Sequence, residues 1–145
     1  MRMASRLGLL AAPLLAAAAL LAQNFNYRQD LHWQAPAQAT ARANPLAPSP
    51  EIVAGGRKLF RRHCAECHGE DGRGLRKAAD LQLPVVQQQS DGVLFWKITN
   101  GNPRRKMPSW ARLPELQRWQ LVLYIRTLSA EREPAGADPV SADRP

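Results

Sequence analysis

Three stretches of the chain repeat apolar residues at helical intervals, and none alternates apolar and polar positions as a strand does. In the first, Ile52, Gly56, Leu59, Phe60 and His63 fall at i, i+4, i+7, i+8 and i+11. Ser49 precedes that face as an N-cap and Pro50 as the first helical residue, where its missing N–H costs nothing. The run leads straight into Cys64. In the second stretch Ser90 is the N-cap, Leu94 and Ile98 share a face, and Gly101 is the stop. The third starts near Pro114 and carries the stripe Leu116, Trp119, Leu123, Tyr124 and Thr127. Leu121, Ile125 and Leu128 widen the stripe, which predicts a largely buried helix. The fold class expected is all-α.

The pattern changes on both sides of these helices. Arg2 and Arg6 precede an unbroken non-polar run of 16 residues, Leu7 to Ala22. That is a basic start followed by the apolar core of a secretory signal. A membrane span needs roughly 20 residues. Ala17-Ala18-Ala19 and Ala22 offer cleavage sites, and an uncleaved anchor is the alternative. Gln23 to Trp33 is polar with scattered aromatics, and Gln34 to Pro50 carries Pro36, Pro45, Pro48 and Pro50, as a semi-stiff linker does. The organisation expected is therefore signal or anchor over 1–22, linker over 23–50, folded domain over 51–129 and disordered tail over 130–145. A core of that size is marginal on its own.

Charge adds a direction. The net charge is +8, and between Glu51 and Ala130 there are 14 Lys or Arg against 7 Asp or Glu. An exported chain has little use for nucleic acid, so the basic excess points to steering toward an acidic partner, or to solubility alone.

Both cysteines of the chain lie in Cys64-Ala65-Glu66-Cys67-His68. C-x-x-C-H reads as a c-type haem attachment site, with the thiols closing thioether bonds and the imidazole lying on the iron. Other chemistries compete for the same residues. A disulfide is possible in an exported protein but leaves His68 without a role. A structural zinc site needs four ligands, and only His32 and His63 remain to complete one. A thioredoxin-like dithiol needs a β-α-β context that the pattern lacks.

A six-coordinate haem takes a second axial ligand, often a methionine thioether, which raises the potential. Met1 and Met3 fall in the signal, leaving Met107, 39 residues beyond His68, in the polar loop Arg105-Lys106-Met107-Pro108-Ser109-Trp110. The competing role for a lone methionine is core filler.

Gly56-Arg57-Lys58-Leu59-Phe60 before Cys-x-x-Cys-His-Gly, then a Met-Pro loop, then an aromatic C-terminal helix, resembles a class I mono-haem cytochrome c of the small bacterial type. The resemblance covers about Glu51 to Ser129. It implies a cytochrome c fold, three or more helices around one covalently attached haem c. It implies cofactor binding by Cys64, Cys67, His68 and Met107, with His68 and Met107 on the iron. The first and last helices of that family cross at a small residue and an aromatic, roles that Gly56, Phe60 and Tyr124 match. The resemblance also implies a backbone carbonyl holding the other nitrogen of the haem histidine, for which Pro84 is the candidate. Trp96 or Trp110 would meet a propionate or pack in the core. Arg104, Arg105 and Lys106 would rim the haem crevice, facing an acidic redox partner or solvent. The function implied is one-electron transfer in an exported, periplasmic chain without catalysis of its own. The alternative is a haem-bearing subunit of a membrane dehydrogenase or oxidase complex, and membrane association would run through an uncleaved N-terminal segment.

Overall fold

The computed structural model describes residues 30–75 and 78–131. The expected signal over 1–22, the stretch 23–29 and the tail beyond 131 lie outside the described residues, among which there are helices and no strand. In chain order the helices are α1 (Ala37–Thr40), α2 (Pro50–His63), α3 (Ala65–His68), α4 (Pro84–Gln87), α5 (Asp91–Asn100) and α6 (Glu115–Thr127). Single 3₁₀ turns occupy Pro103–Arg105 and Leu128–Glu131.

Local chemistry accounts for the three long helices. The Ser49 hydroxyl accepts the Ile52 N–H at 3.3 Å, and Pro50 opens α2. Glu51 in its first turn and Arg61 and Arg62 in its last complement the helix dipole. Ser90 caps α5 in the same way, accepting from Val93 at 3.3 Å. α6 follows Pro114 directly and has Glu115 in its first turn.

The core forms where α2 crosses α6. A Cβ on Gly56 would run into the Gln120 carbonyl oxygen and lie 2.9 Å from the Tyr124 Cβ, so only hydrogen fits there. One turn on, the Phe60 ring sits 5.2 Å from that of Tyr124. Phe60, Trp119, Leu121, Val122 and Leu128 are fully buried around this crossing. α5 joins by stacking Phe95 on Trp119, with ring centroids 3.9 Å apart. Leu116, placed on the buried stripe of α6 by the sequence pattern, is 58 % exposed. The first turn of the helix faces solvent, Glu115 included, and burial begins with Trp119.

The stretch from Gln34 to Pro50 departs from a linker's behaviour, for it lies along the domain. The backbone of α1 presses on Gly92 of α5, where a Cβ would strike the Ala39 carbonyl oxygen. Ser90 Oγ donates to the Thr40 carbonyl at 2.8 Å, and Asn44 Nδ2 to that of Trp119 at 3.2 Å. The Arg42 guanidinium reaches Glu115 at 2.6 Å and lies 4.7 Å from the Phe95 ring centroid. The prolines that gave the segment its linker composition also limit the entropy lost in ordering it.

Candidate functional site

The end of α2 delivers the cysteine motif. The Cys64 N–H donates to the Phe60 carbonyl at 2.8 Å, and the chain then turns once more as α3. This places Cys64, Cys67 and His68 on a single turn. Cys64 is half-buried and Cys67 exposed, both as free thiols. Burial, with the neighbouring Cys67 sulfur, pushes the Cys64 thiol up to about 12.

The loop after His68 is shaped to hold the imidazole. Gly74 donates to the His68 carbonyl at 2.7 Å, and Leu75 to that of Cys67 at 2.9 Å. Gly74 has φ +80°, and a Cβ there would come within 2.8 Å of the Ala79 carbonyl oxygen. That oxygen is 2.9 Å from His68 Nδ1. A carbonyl only accepts, so Nδ1 carries the proton and Nε2 keeps the lone pair that a metal takes. Burial lowers the His68 pKa, which the Ala79 hydrogen bond opposes. The ring is therefore held neutral, as a ligand must be.

The acceptor is Ala79, not Pro84. Pro84 opens α4 and spends its carbonyl on the Gln88 N–H at 2.9 Å. Any residue supplies a backbone carbonyl, so no side-chain signal marked Ala79.

Met107 lies on a different arm. Its backbone pairs with Asn102 in both directions, N–H to carbonyl at 3.0 and 2.9 Å, closing a small hairpin over the 3₁₀ turn. Pro108, Ser109 and Trp110 then run back along the end of α5. Ser109 Oγ donates to the Thr99 carbonyl at 2.6 Å, and the Trp110 N–H to that of Ile98 at 3.1 Å. Met107 is half-buried, while Arg104, Arg105 and Lys106 beside it are exposed.

The two arms meet at their ends. The Trp110 ring lies 4.8 Å from that of His63, the residue before Cys64. The Arg112 guanidinium covers Trp110 at 4.5 Å. Burial, then the charges of Arg62 and Arg112, lowers the His63 pKa, so an uncharged imidazole stacks there. Trp110 is buried in this contact, and Trp96 is half-buried on α5. His32 is exposed, away from the cysteines in the chain and bonded through its backbone to Asp30.

The described residues thus offer two adjacent thiols, an imidazole with its tautomer fixed, and a thioether on a braced hairpin. Residues 51–125, just over half of the chain, match the family described as cytochrome c oxidase, cbb3-type, subunit III. The chain belongs to this family. Its folded part is a c-type cytochrome domain, all-α, whose cofactor is covalently held haem c and whose chemistry is haem-based electron transfer. The site residues fit that group, because the Nδ1–Ala79 bond leaves Nε2 of His68 unprotonated and able to take a metal. The match starts at Glu51, so the segment laid along α5 and α6 is outside it.

Proposed function

We propose that this cytochrome domain carries single electrons on one haem bound through Cys64 and Cys67, with His68 and Met107 as the axial ligands. The observation that carries the reading is the His68 Nδ1–Ala79 contact, which orients the ring and leaves Nε2 available, as the outer partner of a metal-bound histidine does. The iron of such a group exchanges one electron between its ferric and ferrous states. The chain's residues do the rest. His68 is held neutral and oriented, Met107 is presented by a hairpin tied to α5, and the core excludes water behind them. With both axial positions filled, no substrate binds the metal, and the protein is a carrier rather than an enzyme.

The exposed cations Arg104 and Lys106 flank Met107 and favour a redox partner with an acidic docking face. The signal-like start supports export to the periplasm, with the domain order 1–22 signal or anchor and 51–129 cytochrome. The family match favours a second setting, a haem-bearing subunit of a membrane oxidase complex. Among the described residues no helix is long and apolar enough to cross a membrane.

The test is Met107→Ala in the full haem-bearing protein. The long-wavelength charge-transfer band of a thioether–ferric iron bond should vanish and the reduction potential fall. An unchanged band and potential would remove Met107 from the iron. Intact mass then reports one covalent haem, and its loss in Cys64→Ala/Cys67→Ala locates the attachment.

A further inference from the structure

We propose that Asp30 and Trp33, from the segment ahead of the cytochrome domain, are positioning residues that brace the Met107 hairpin. The inference rests on the reading of Met107 as an iron ligand. It adds a device that residues 51–125 do not contain.

The hairpin has a narrow base at Gly101 and Asn102. Gly101 has φ +65°, and a Cβ there would lie 2.6 Å from the carbonyl oxygens of Met107 and Pro108. Asn102 is buried and pairs with Met107 through the backbone. Both base residues are gripped from outside. The Trp33 indole N–H donates to the Gly101 carbonyl at 2.8 Å. The Asn102 side-chain amide donates to Asp30 Oδ2 at 3.2 Å. Lys97, one turn before Gly101 and itself buried, sets its ammonium 4.6 Å from the Trp33 ring centroid.

These contacts cross about 70 positions of sequence, the span in each hydrogen bond being 68 and 72 residues. They fall on the two residues from which the Met107 hairpin springs. Arg104, Arg105 and Lys106 between the two paired residues are exposed, and the charges of Arg104 and Arg105 act on Asp30 from the same hairpin. A thioether is a weak, neutral ligand, so its hold on iron depends on how firmly the protein presents it. Releasing the base would let Met107 swing away more often, and an external ligand such as carbon monoxide would reach ferrous iron faster.

The experiment uses the full haem-bearing chain with Asp30→Ala, Trp33→Phe, Arg42→Met and Met107→Ala. Trp33→Phe keeps an aromatic ring beside Lys97 and removes the indole N–H together with part of the ring. Three readouts are taken: amide hydrogen exchange at Asn102 and Met107, the thioether–ferric band, and carbon monoxide binding to the reduced protein. Asp30→Ala and Trp33→Phe should each speed exchange and carbon monoxide binding about fivefold, the factor set by one hydrogen bond of ordinary net strength. Arg42→Met loosens the same segment at Glu115, on the first turn of α6, without touching the hydrogen bonds to Gly101 and Asn102, and should leave both rates unchanged.

Unchanged exchange at Asn102 and Met107 in both variants would overturn the brace. An equal effect from Arg42→Met would reduce it to general loosening and overturn it too. Faster exchange with unaltered carbon monoxide binding would overturn its role at the iron. If Met107→Ala leaves the spectrum intact, the ligand assignment fails separately, and exchange still decides whether the brace exists.

Discussion

Single atoms decide the tightest points of this fold. At Gly56 the absent Cβ lets α2 reach the backbone of Gln120. Gly56→Ala gains about 1 kcal/mol of helix propensity. It also forces two packed helices apart, at a cost of about 1–3 kcal/mol. The clash is with backbone rather than a flexible side chain, so the net effect should be destabilising. Thermal unfolding of the haem-bearing variant should show a melting temperature lower by roughly 5–10 °C. An equal or higher value would show that the crossing can relax. This close approach was legible in the sequence, because the resemblance named Gly56, Phe60 and Tyr124 together. The imidazole's partner was not. A carbonyl carries no residue identity, and Ala79 reaches His68 only because Gly74 clears its path.

At the scale of elements, the long helices could be read from caps and periods, since Ser49, Ser90 and Gly101 act locally. The segment before them could not. Its contacts are single polar bonds, cations over aromatic rings and the backbone of α1 against Gly92, which leave no period in the sequence. Two of its anchors are carboxylates. A hydrogen bond from Asn102, then one from the His32 backbone, holds Asp30 below its usual 3.8. Arg42, then Trp119, lowers Glu115 from 4.5. A depressed folded-state pKa means that the bonded form is the charged one. The docking these groups provide is therefore complete above pH 4.5 and is lost as pH falls through their lowered values. In an acid titration by NMR, the Trp33 indole N–H and the Asn102 side-chain amide should shift together. Because the carboxylate at these probes is Asp30, their shift should fall below pH 3.8, before the resonances of the Phe60–Tyr124 crossing move. Shifts in step with global unfolding would mean that the segment has no docking equilibrium of its own.

For the molecule as a whole, the protein core is a single cluster around Phe60, Trp119 and Leu121. Haem held at Cys64 and Cys67, as proposed, would add apolar bulk at one edge of it. The Cys64→Ala/Cys67→Ala chain should accordingly lose its cooperative melt by circular dichroism; a sharp, native-like transition would show that the protein core suffices. The all-α class and the cytochrome family were legible from three helical periods and one motif. What the whole chain adds is the coverage of α5 and α6 by residues outside the matched domain.

The crossing at Gly56 also has a consequence in time. Its two helices stand at opposite ends of the domain, and α6 begins 51 residues after Cys64. At about 5–20 residues per second of synthesis, roughly 3–10 s separate the emergence of the thiols from that of Glu115. Until α6 exists, Phe60 has no Tyr124 to meet, and the chain stays open. In the closed fold Cys64 is half-buried, with its thiol pushed up to about 12 and little thiolate at neutral pH. The order of events is thereby written into the topology: the Cys64 thiol is most reactive while the chain is still open, before haem and the last helix close the fold around it.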